Sequence, residues 1–200
     1  MKTMKIWNNE ASDRQLSEIC RDLENGQTMI MPTDTLYGLA CDALNPKAIE
    51  KICRLKGINP DKTNLSIICS SISMAAEYAR FDNYAFRLLK DLTPGPFTFL
   101  FRSAPTLPKA FKGRKTVGIR IPDNKLCHDI VERLGHPVMT TSIKYTDSDY
   151  AISPGLISEA YDNMVDFFLE GEDGETEPST IVDCTGREPE IVRQGKGILE

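Results

Sequence analysis

Thr28-Met29-Ile30-Met31-Pro32-Thr33-Asp34-Thr35-Leu36-Tyr37-Gly38-Leu39 is the stretch around which the chain is organised. The apolar run before Pro32, bounded on its other side by Gly26, predicts a short buried strand. Pro32 has no N–H to give to a ladder, so the strand stops there. A polar turn with two hydroxyls and a carboxylate follows, and then Tyr37 and Gly38. Ligands of α/β folds bind at strand ends of this kind. Gly38 would let the backbone come close to a bound group. Read structurally, the same residues make a strand–turn connection with Tyr37 in the core.

Outward from this stretch the pattern alternates between helices and strands. Ser12-x-x-Gln15 predicts a capping box, with Leu16, Ile19, Cys20 and Leu23 at helical spacing and Gly26 closing the helix. Asn45-Pro46 opens a second helix whose face carries Ile49, Ile52, Cys53 and Lys56, and Gly57 ends it. Leu65–Cys69 reads as a buried strand. Ser73 and Asn83 are expected to cap helices that end near Phe81 and Leu92. After the rigid turn Thr93-Pro94-Gly95-Pro96 come strands at Phe97–Phe101 and Thr116–Ile121. A helix over Leu126–Leu134, closed by Gly135, leads to a strand at Pro137–Ser142. Residues 143–153 read as an irregular loop and Pro154–Tyr161 as a helix. Met164–Leu169 reads as a strand, and Ser179–Asp183 with Ile191–Arg193 as a closing hairpin. The mixture predicts an α/β fold, residues 1–200 forming a single domain, with one twisted mixed β-sheet and flanking helices around a basic cleft.

Composition narrows the function classes. Of 200 residues, 40% are hydrophobic and 26% charged, an ordinary globular balance able to bury a core without staples. No apolar run approaches the ~18 residues needed to span a membrane, and the N-terminus lacks the apolar core of a signal peptide, so the expected location is cytoplasmic. The six cysteines are scattered with no Cys-x-x-Cys pair, and there are two histidines, so no metal centre is expected. A net charge of −5 argues against a general nucleic-acid coat. The charge is divided, however. Arg102, Lys109, Lys112, Arg114, Lys115 and Arg120 share one stretch free of acids, whereas Glu170, Glu172, Asp173, Glu175 and Glu177 cluster in another.

Several strand ends carry polar chemistry: Thr33-Asp34-Thr35, Thr140-Thr141-Ser142, Ser179-Thr180 and the Arg120 segment. Brought together beside Lys56, Lys62, Arg120 and Arg193, they would make an anion or nucleotide cleft. Neither Gly-x-x-x-x-Gly-Lys nor Gly-x-Gly-x-x-Gly occurs, so the common phosphate loops are excluded.

Pro32–Leu39 resembles the signature of the YrdC/YciO family, whose best-known members are threonylcarbamoyl-AMP synthases. The resemblance continues in order through Lys56, Thr93-Pro94-Gly95-Pro96-Phe97-Thr98, Val117–Pro122, Thr141-Ser142, Ser179–Asp183 and Arg193-Gln194-Gly195. It implies a twisted α/β sheet around a positively lined cavity. It implies small-molecule partners: threonine, bicarbonate and ATP with Mg²⁺, which the synthases combine into threonylcarbamoyl-AMP and pyrophosphate for modification of tRNA. No tightly bound cofactor is expected. By resemblance Thr35, Arg120 and Thr141 would hold threonine. Lys56, Thr116, Ser142, Ser179 and Arg193 would face the nucleotide, joined by Lys62 from the cleft reading, with Lys56 and Arg120 carrying catalysis.

The sequence departs from the synthases at three places. Lys56-Gly57-Ile58 stands where they usually read Lys-x-Arg, Ser142-Ile143-Lys144 where they read Ser-Ala-Asn, and Ile68 where a histidine is common. These departures look like the YciO branch. Two functions from different classes follow: a synthase of the threonylcarbamoyl-AMP type, or a paralogue that binds double-stranded RNA or tRNA through the same cleft. Overall acidity and the absence of an aromatic stacking motif favour the small-molecule cleft.

Overall fold

The structure, a computed structural model, describes residues 1–113, 115–145 and 147–199. Arg114, part of the expected basic stretch, lies outside the described residues. The helices begin where short polar side chains satisfy the first N–H groups. Helix α1 (Asp13–Glu24) has the complete capping box: Ser12 Oγ accepts from the Gln15 N–H and Gln15 Oε1 accepts from the Ser12 N–H. Helix α2 (Pro46–Lys56) is capped by Asn45 and ends on Gly57, which takes a left-handed conformation at φ 68°. Two caps differ from the sequence reading. Ser71 rather than Ser73 opens α3 (Ile72–Tyr78), and Asp82 rather than Asn83 opens α4 (Asn83–Leu92). In each case the true cap lies one or two residues earlier, with its side chain accepting from the first-turn N–H groups. Helix α3 stops at Tyr78 because Ala79 is already extended, as part of β5 (Ala79–Arg80). Helix α5 (Lys125–Leu134) is capped by Asn124. Two short helices, α6 (Asp149–Ile152) and α7 (Pro154–Ala160), follow, the first inside the stretch read as loop.

Among the described residues, eleven strands form one mixed sheet. They are β1 (Lys2–Lys5), β2 (Met29–Met31), β3 (Gly38–Asp42), β4 (Ser66–Ile68), β5, β6 (Phe97–Ser103), β7 (Thr116–Arg120), β8 (Val138–Ser142), β9 (Phe167–Glu170), β10 (Thr180–Asp183) and β11 (Glu190–Arg193). The order is β1-β9-β2-β3-β8-β4-β7-β6-β10-β11, with β5 against β6. The closing β10–β11 hairpin is antiparallel, as expected, while β10 runs parallel to β6. Strands β1 and β3 were not anticipated. β1 is a polar edge strand paired to β9, and β3, Gly-Leu-Ala-Cys-Asp, lacks the β-branched residues that signal a strand.

Alternation along each strand sends side chains to opposite faces. Ile30, Leu39, Cys41, Ile67, Met139 and Phe168 enter a large core with α2, α3, α4 and α7. Met29, Met31, Ala40, Ile68, Val138 and Phe167 enter a smaller core under α1 and α5. On this second face the apolar residues cover only half of the central strands. The other half is small or hydroxyl-bearing: Gly38, Thr140 and Ser142, then Ser66, then Thr116 and Gly118, paired across the sheet in that order. A side chain on Gly118 would place Cβ 2.4 Å from Ser66 Oγ and 3.0 Å from Thr98 Cγ2, and one on Gly38 would lie 2.6 Å from Thr140 Oγ1. Bare glycines and short hydroxyls leave a polar cradle on the sheet beside the α1–α5 layer.

Candidate active site

Arg120 stands where the two halves of this face meet. It is in register with Ile68, and Ile68 with Val138, both members of the smaller core. Its guanidinium is turned to the 33–35 turn, which folds back over the sheet. There Thr33 Oγ1 donates to the Leu36 carbonyl (2.8 Å) and accepts from the Thr35 N–H (3.1 Å), fixing the turn locally. Cys127 on α5 donates to the Pro32 carbonyl at 3.5 Å and anchors the turn's start. Arg120 Nη2 donates to Asp34 Oδ1 at 2.6 Å and to Thr35 Oγ1 at 3.0 Å, and the Asp123 N–H donates to Asp34 Oδ2 at 3.1 Å. The side chains of Arg120 and Asp34 are each only 7% exposed. Arg120 Nε is buried with no hydrogen-bond partner among the described residues. An orphaned buried donor costs about 1–3 kcal/mol, which is why such atoms are scarce in native proteins.

Arg193 lies close enough to Arg120 that the neighbouring charge, after burial, lowers its pKa. It donates through Nη2 to the Ser179 carbonyl (2.7 Å) and hydroxyl (3.3 Å), and Ser179 Oγ lies 2.7 Å from Thr98 Oγ1. Thr35, Arg120, Ser179 and Arg193 therefore converge. The cavity against this corner has a volume of about 380 Å³ and lies between the 33–35 and 94–96 turns, the start of α5 and the 172–175 loop. Tyr37 holds that loop down: its buried hydroxyl donates to the Glu172 carbonyl (2.7 Å) and accepts from the Gly171 N–H (3.1 Å). Lys196 spans the mouth, donating to the Asp34 carbonyl (3.1 Å) and to Glu175 (3.0 Å).

The lining of this cavity is not basic. Asp34, Asp123, Glu172, Asp173 and Glu175 face Lys196 alone. The expected basic lining is instead concentrated at the far end of the cradle. There Lys56 Nζ donates to the Ser142 carbonyl, and its pKa is pushed down to about 8 by burial and by the charge of Lys144. Lys144 Nζ lies 3.8 Å from where a Cβ on Gly57 would stand. Neither lysine forms an ion pair among the described residues. Thr116 shares this end and donates to Asn64 Oδ1 (2.7 Å), while Lys62 sits on the Asn59 turn beside it. The sequence-predicted residues thus form two groups at opposite ends of β7, whose last residue is Arg120 and whose first is Thr116. Thr141 joins neither: it pairs with Leu39 of the large core, so alternation turns it to the opposite face from Thr140 and Ser142. Ile58 packs against the large core instead of opening the cleft.

Asp34, Lys144 and Lys196 were not among the sequence-predicted site residues. Asp34 lies inside the quoted Thr33-Asp34-Thr35 strand end without having been given a role, Lys144 stood in the quoted Ser142-Ile143-Lys144, and Lys196 follows Arg193-Gln194-Gly195 directly; those positions were the available signals.

The Sua5/YciO/YrdC family model, described as telomere recombination, matches residues 21–195. The Escherichia coli (strain K12) uncharacterized protein YciO is 33% identical over 187 residues, covering 92% of this chain and 90% of that one. The E. coli YciO crystal structure superposes with a TM-score of 0.91 at 31% identity, covering 99% of this chain and 98% of the other. A Methanocaldococcus jannaschii protein provisionally named threonylcarbamoyl-AMP synthase is 28% identical over 197 residues, 97% of this chain and 93% of its own. P. abyssi Sua5, crystallised with L-threonine, shares the fold at a TM-score of 0.88 and 22% identity, covering 98% of this chain and 58% of Sua5. From its sequence motifs, its sheet and these matches, the chain belongs to the Sua5/YciO/YrdC family.

Proposed function

We propose that this protein holds L-threonine by its carboxylate at Arg120 and Thr35 and a nucleotide along the cradle toward Lys56, and joins threonine, bicarbonate and ATP into threonylcarbamoyl-AMP and pyrophosphate for tRNA modification. The observation that carries this reading is the buried Arg120, its Nε unpartnered among the described residues, bonded to Asp34 and Thr35, which line the cavity. A guanidinium edge is suited to a planar carboxylate. The threonine complex of P. abyssi Sua5 supports the choice of amino acid. Uncompensated Lys56 and Lys144 at the other end suit a polyphosphate, and Lys144 supplies a cation where the synthases carry an amide.

Little covalent work is asked of the protein. The threonine amine attacks the carbonyl carbon of bicarbonate; a C–N bond forms and water leaves. A carbamate oxygen then attacks the α-phosphorus, and the bond to pyrophosphate breaks. Arg120 and Thr35 orient the amino acid, and Lys56 and Lys144 offset charge on the departing pyrophosphate. Among the described residues no group of three or more His, Cys, Asp or Glu is placed to hold a metal ion. Mg²⁺ would arrive on the nucleotide's own phosphates.

The test is mass spectrometry of the protein incubated with ATP, Mg²⁺, threonine and bicarbonate, each omitted in turn. A threonylcarbamoyl-AMP product that needs all of them and disappears in Lys56→Ala supports the reading; no product at high protein concentration despite ATP binding overturns it. A second reading, double-stranded RNA or tRNA on the cationic end, draws on one observation. Phe111 is buried in the large core and Gly113 lies against Asp61, which sets the 104–113 stretch beside the Lys62 turn. That reading requires steeply salt-dependent RNA binding that falls in a Lys112→Ala/Lys115→Ala variant.

A further inference from the structure

Lys56 and Lys144 cross one another. Lys56, the last residue of α2, reaches to the end of β8, where its Nζ donates to the Ser142 carbonyl. Lys144, just past β8, reaches back over the end of α2, where its Nζ lies 3.8 Å from the Cβ position of Gly57. Two side chains of like charge therefore run between the same two segments in opposite directions. Lys56 is half-buried and Lys144 exposed, so desolvation falls on Lys56. Among the described residues no carboxylate acts on Lys56 to offset that cost.

The arrangement favours an uncharged Lys56 amine, and burial with Lys144 brings its pKa from 10.5 down to about 8. Near neutral pH that makes its neutral form on the order of 100-fold commoner than that of an exposed lysine. A desolvated neutral lysine amine is a nucleophile. The contact with the Ser142 carbonyl needs one N–H and no charge. A carbamate nitrogen keeps one N–H for that bond, and its two oxygens supply the anion that Lys144 lacks. There is room for them. Chain neighbours aside, Lys144 Nζ is the one atom among the described residues within 4 Å of a Cβ on Gly57. A phosphate would meet the same two cations, so a carbamate and a phosphate compete for one place.

We propose that Lys56 is a site of reversible carboxylation by carbon dioxide, its carbamate paired with the Lys144 ammonium and excluding phosphate while it lasts. The Nζ lone pair of Lys56 attacks the carbon of CO₂. An N–C bond forms, one C=O electron pair moves onto oxygen, and the displaced N–H proton passes to solvent. The repelling pair of ammonium groups becomes an ion pair. The modification is independent of the threonylcarbamoyl-AMP reading; the exclusion of phosphate rests on the nucleotide part of that reading.

Chemical trapping tests it. The full chain is incubated with isotopically labelled bicarbonate in equilibrium with dissolved CO₂. Carbamates are then fixed by O-ethylation with a trialkyloxonium salt and located by peptide mass spectrometry. The expected label on Lys56 is at least about 10-fold that on any exposed lysine. It should vanish in Lys56→Arg and fall several-fold in Lys144→Gln. Saturating ATP should displace it, and dissolved CO₂ should raise the apparent Kd for ATP. Wild-type Lys56 labelled no more than exposed lysines overturns the proposal, and this result decides even where a variant does not fold. Undiminished label in a folded Lys144→Gln variant overturns the ion pair with Lys144. Label that persists under bound ATP overturns the exclusion of phosphate. Lys56 labelled in a protein that binds no ATP supports the carbamate and overturns the nucleotide reading. ATP binding with Lys56 never labelled does the reverse.

Discussion

At the scale of single residues, Arg120 and Lys56 show two ways of burying a cation. Arg120 is compensated by Asp34, and breaking such a buried pair by removing one partner typically costs about 3–5 kcal/mol. Lys56 is not compensated, and burial together with Lys144 lowers its pKa to about 8. The sign of the consequence follows from linkage. Between about pH 8 and the unfolded value of 10.5 the unfolded chain binds the proton and the folded protein does not. Stability contributed by this group therefore rises with pH across that window, and below it the folded protein carries the full cost of the buried charge. Nucleotide affinity should move the other way. A polyphosphate prefers the ammonium, so affinity should fall as pH rises through about 8. Titrations of ATP between pH 7 and pH 9.5 check this: Lys56→Met should abolish the pH dependence, and Lys144→Gln should shift it to higher pH. The sign of these effects was not readable from the sequence, because Lys56 and Lys144 become neighbours only when the end of β8 meets the end of α2.

At the scale of elements, the mouth of the cavity depends on one aromatic residue. Tyr37 looks like core in the sequence, and it is core, at 0% exposure. Its hydroxyl also fastens the 171–172 backbone, and Gly174 passes so close that a Cβ there would lie 2.9 Å from Tyr37 Cδ2. Tyr37→Phe keeps the ring and removes the hydroxyl, leaving a buried N–H and C=O without a partner at a cost of about 1–3 kcal/mol. The expected outcome is a lower Tm by roughly 2–4 °C per kcal/mol lost. Faster amide exchange should be confined to residues 170–177, with the α1 amides unchanged. Uniformly faster exchange would show instead that Tyr37 serves the core alone. Helix starts and strand runs were legible because caps and alternation are local signals. β3 was not, because what holds Gly38–Asp42 extended is pairing to β2 and β8 rather than its own composition.

At the scale of the whole molecule, one sheet serves both cores, so neither can melt alone. The two flanking layers meet it through alternate residues of the same strands, as at Met29, Ile30 and Met31. Leu23→Ala, in the smaller core and fully buried, should cost about 2–5 kcal/mol. Unfolding of this variant should remain a single transition with far-ultraviolet and near-ultraviolet circular dichroism coinciding. Two separated transitions would show that the α1–α5 layer unfolds on its own. The distribution of charge is also a property of this scale. A net charge of −5 coexists with a cationic end at Lys56 and Lys144 and an acidic mouth at Glu172–Glu175. The sequence predicted the acidic cluster and a basic stretch between Arg102 and Arg120, but the meeting of Lys56 with Lys144 away from the acidic mouth depends on the strand order.

The sequence by itself determined the mixed α/β class, most element positions and the family. Each of these rests on short-range signals: caps, two-fold and helical periodicity, and motifs a few residues long. Only the tertiary structure decided the chemistry of the site. The contact between Arg120 and Asp34 joins residues 86 positions apart, and the bond from Tyr37 to Glu172 joins residues 135 apart. Such contacts depend on how strands distant in the chain lie side by side. The same parity of a strand that brings Thr140 into the cradle turns Thr141 away from it.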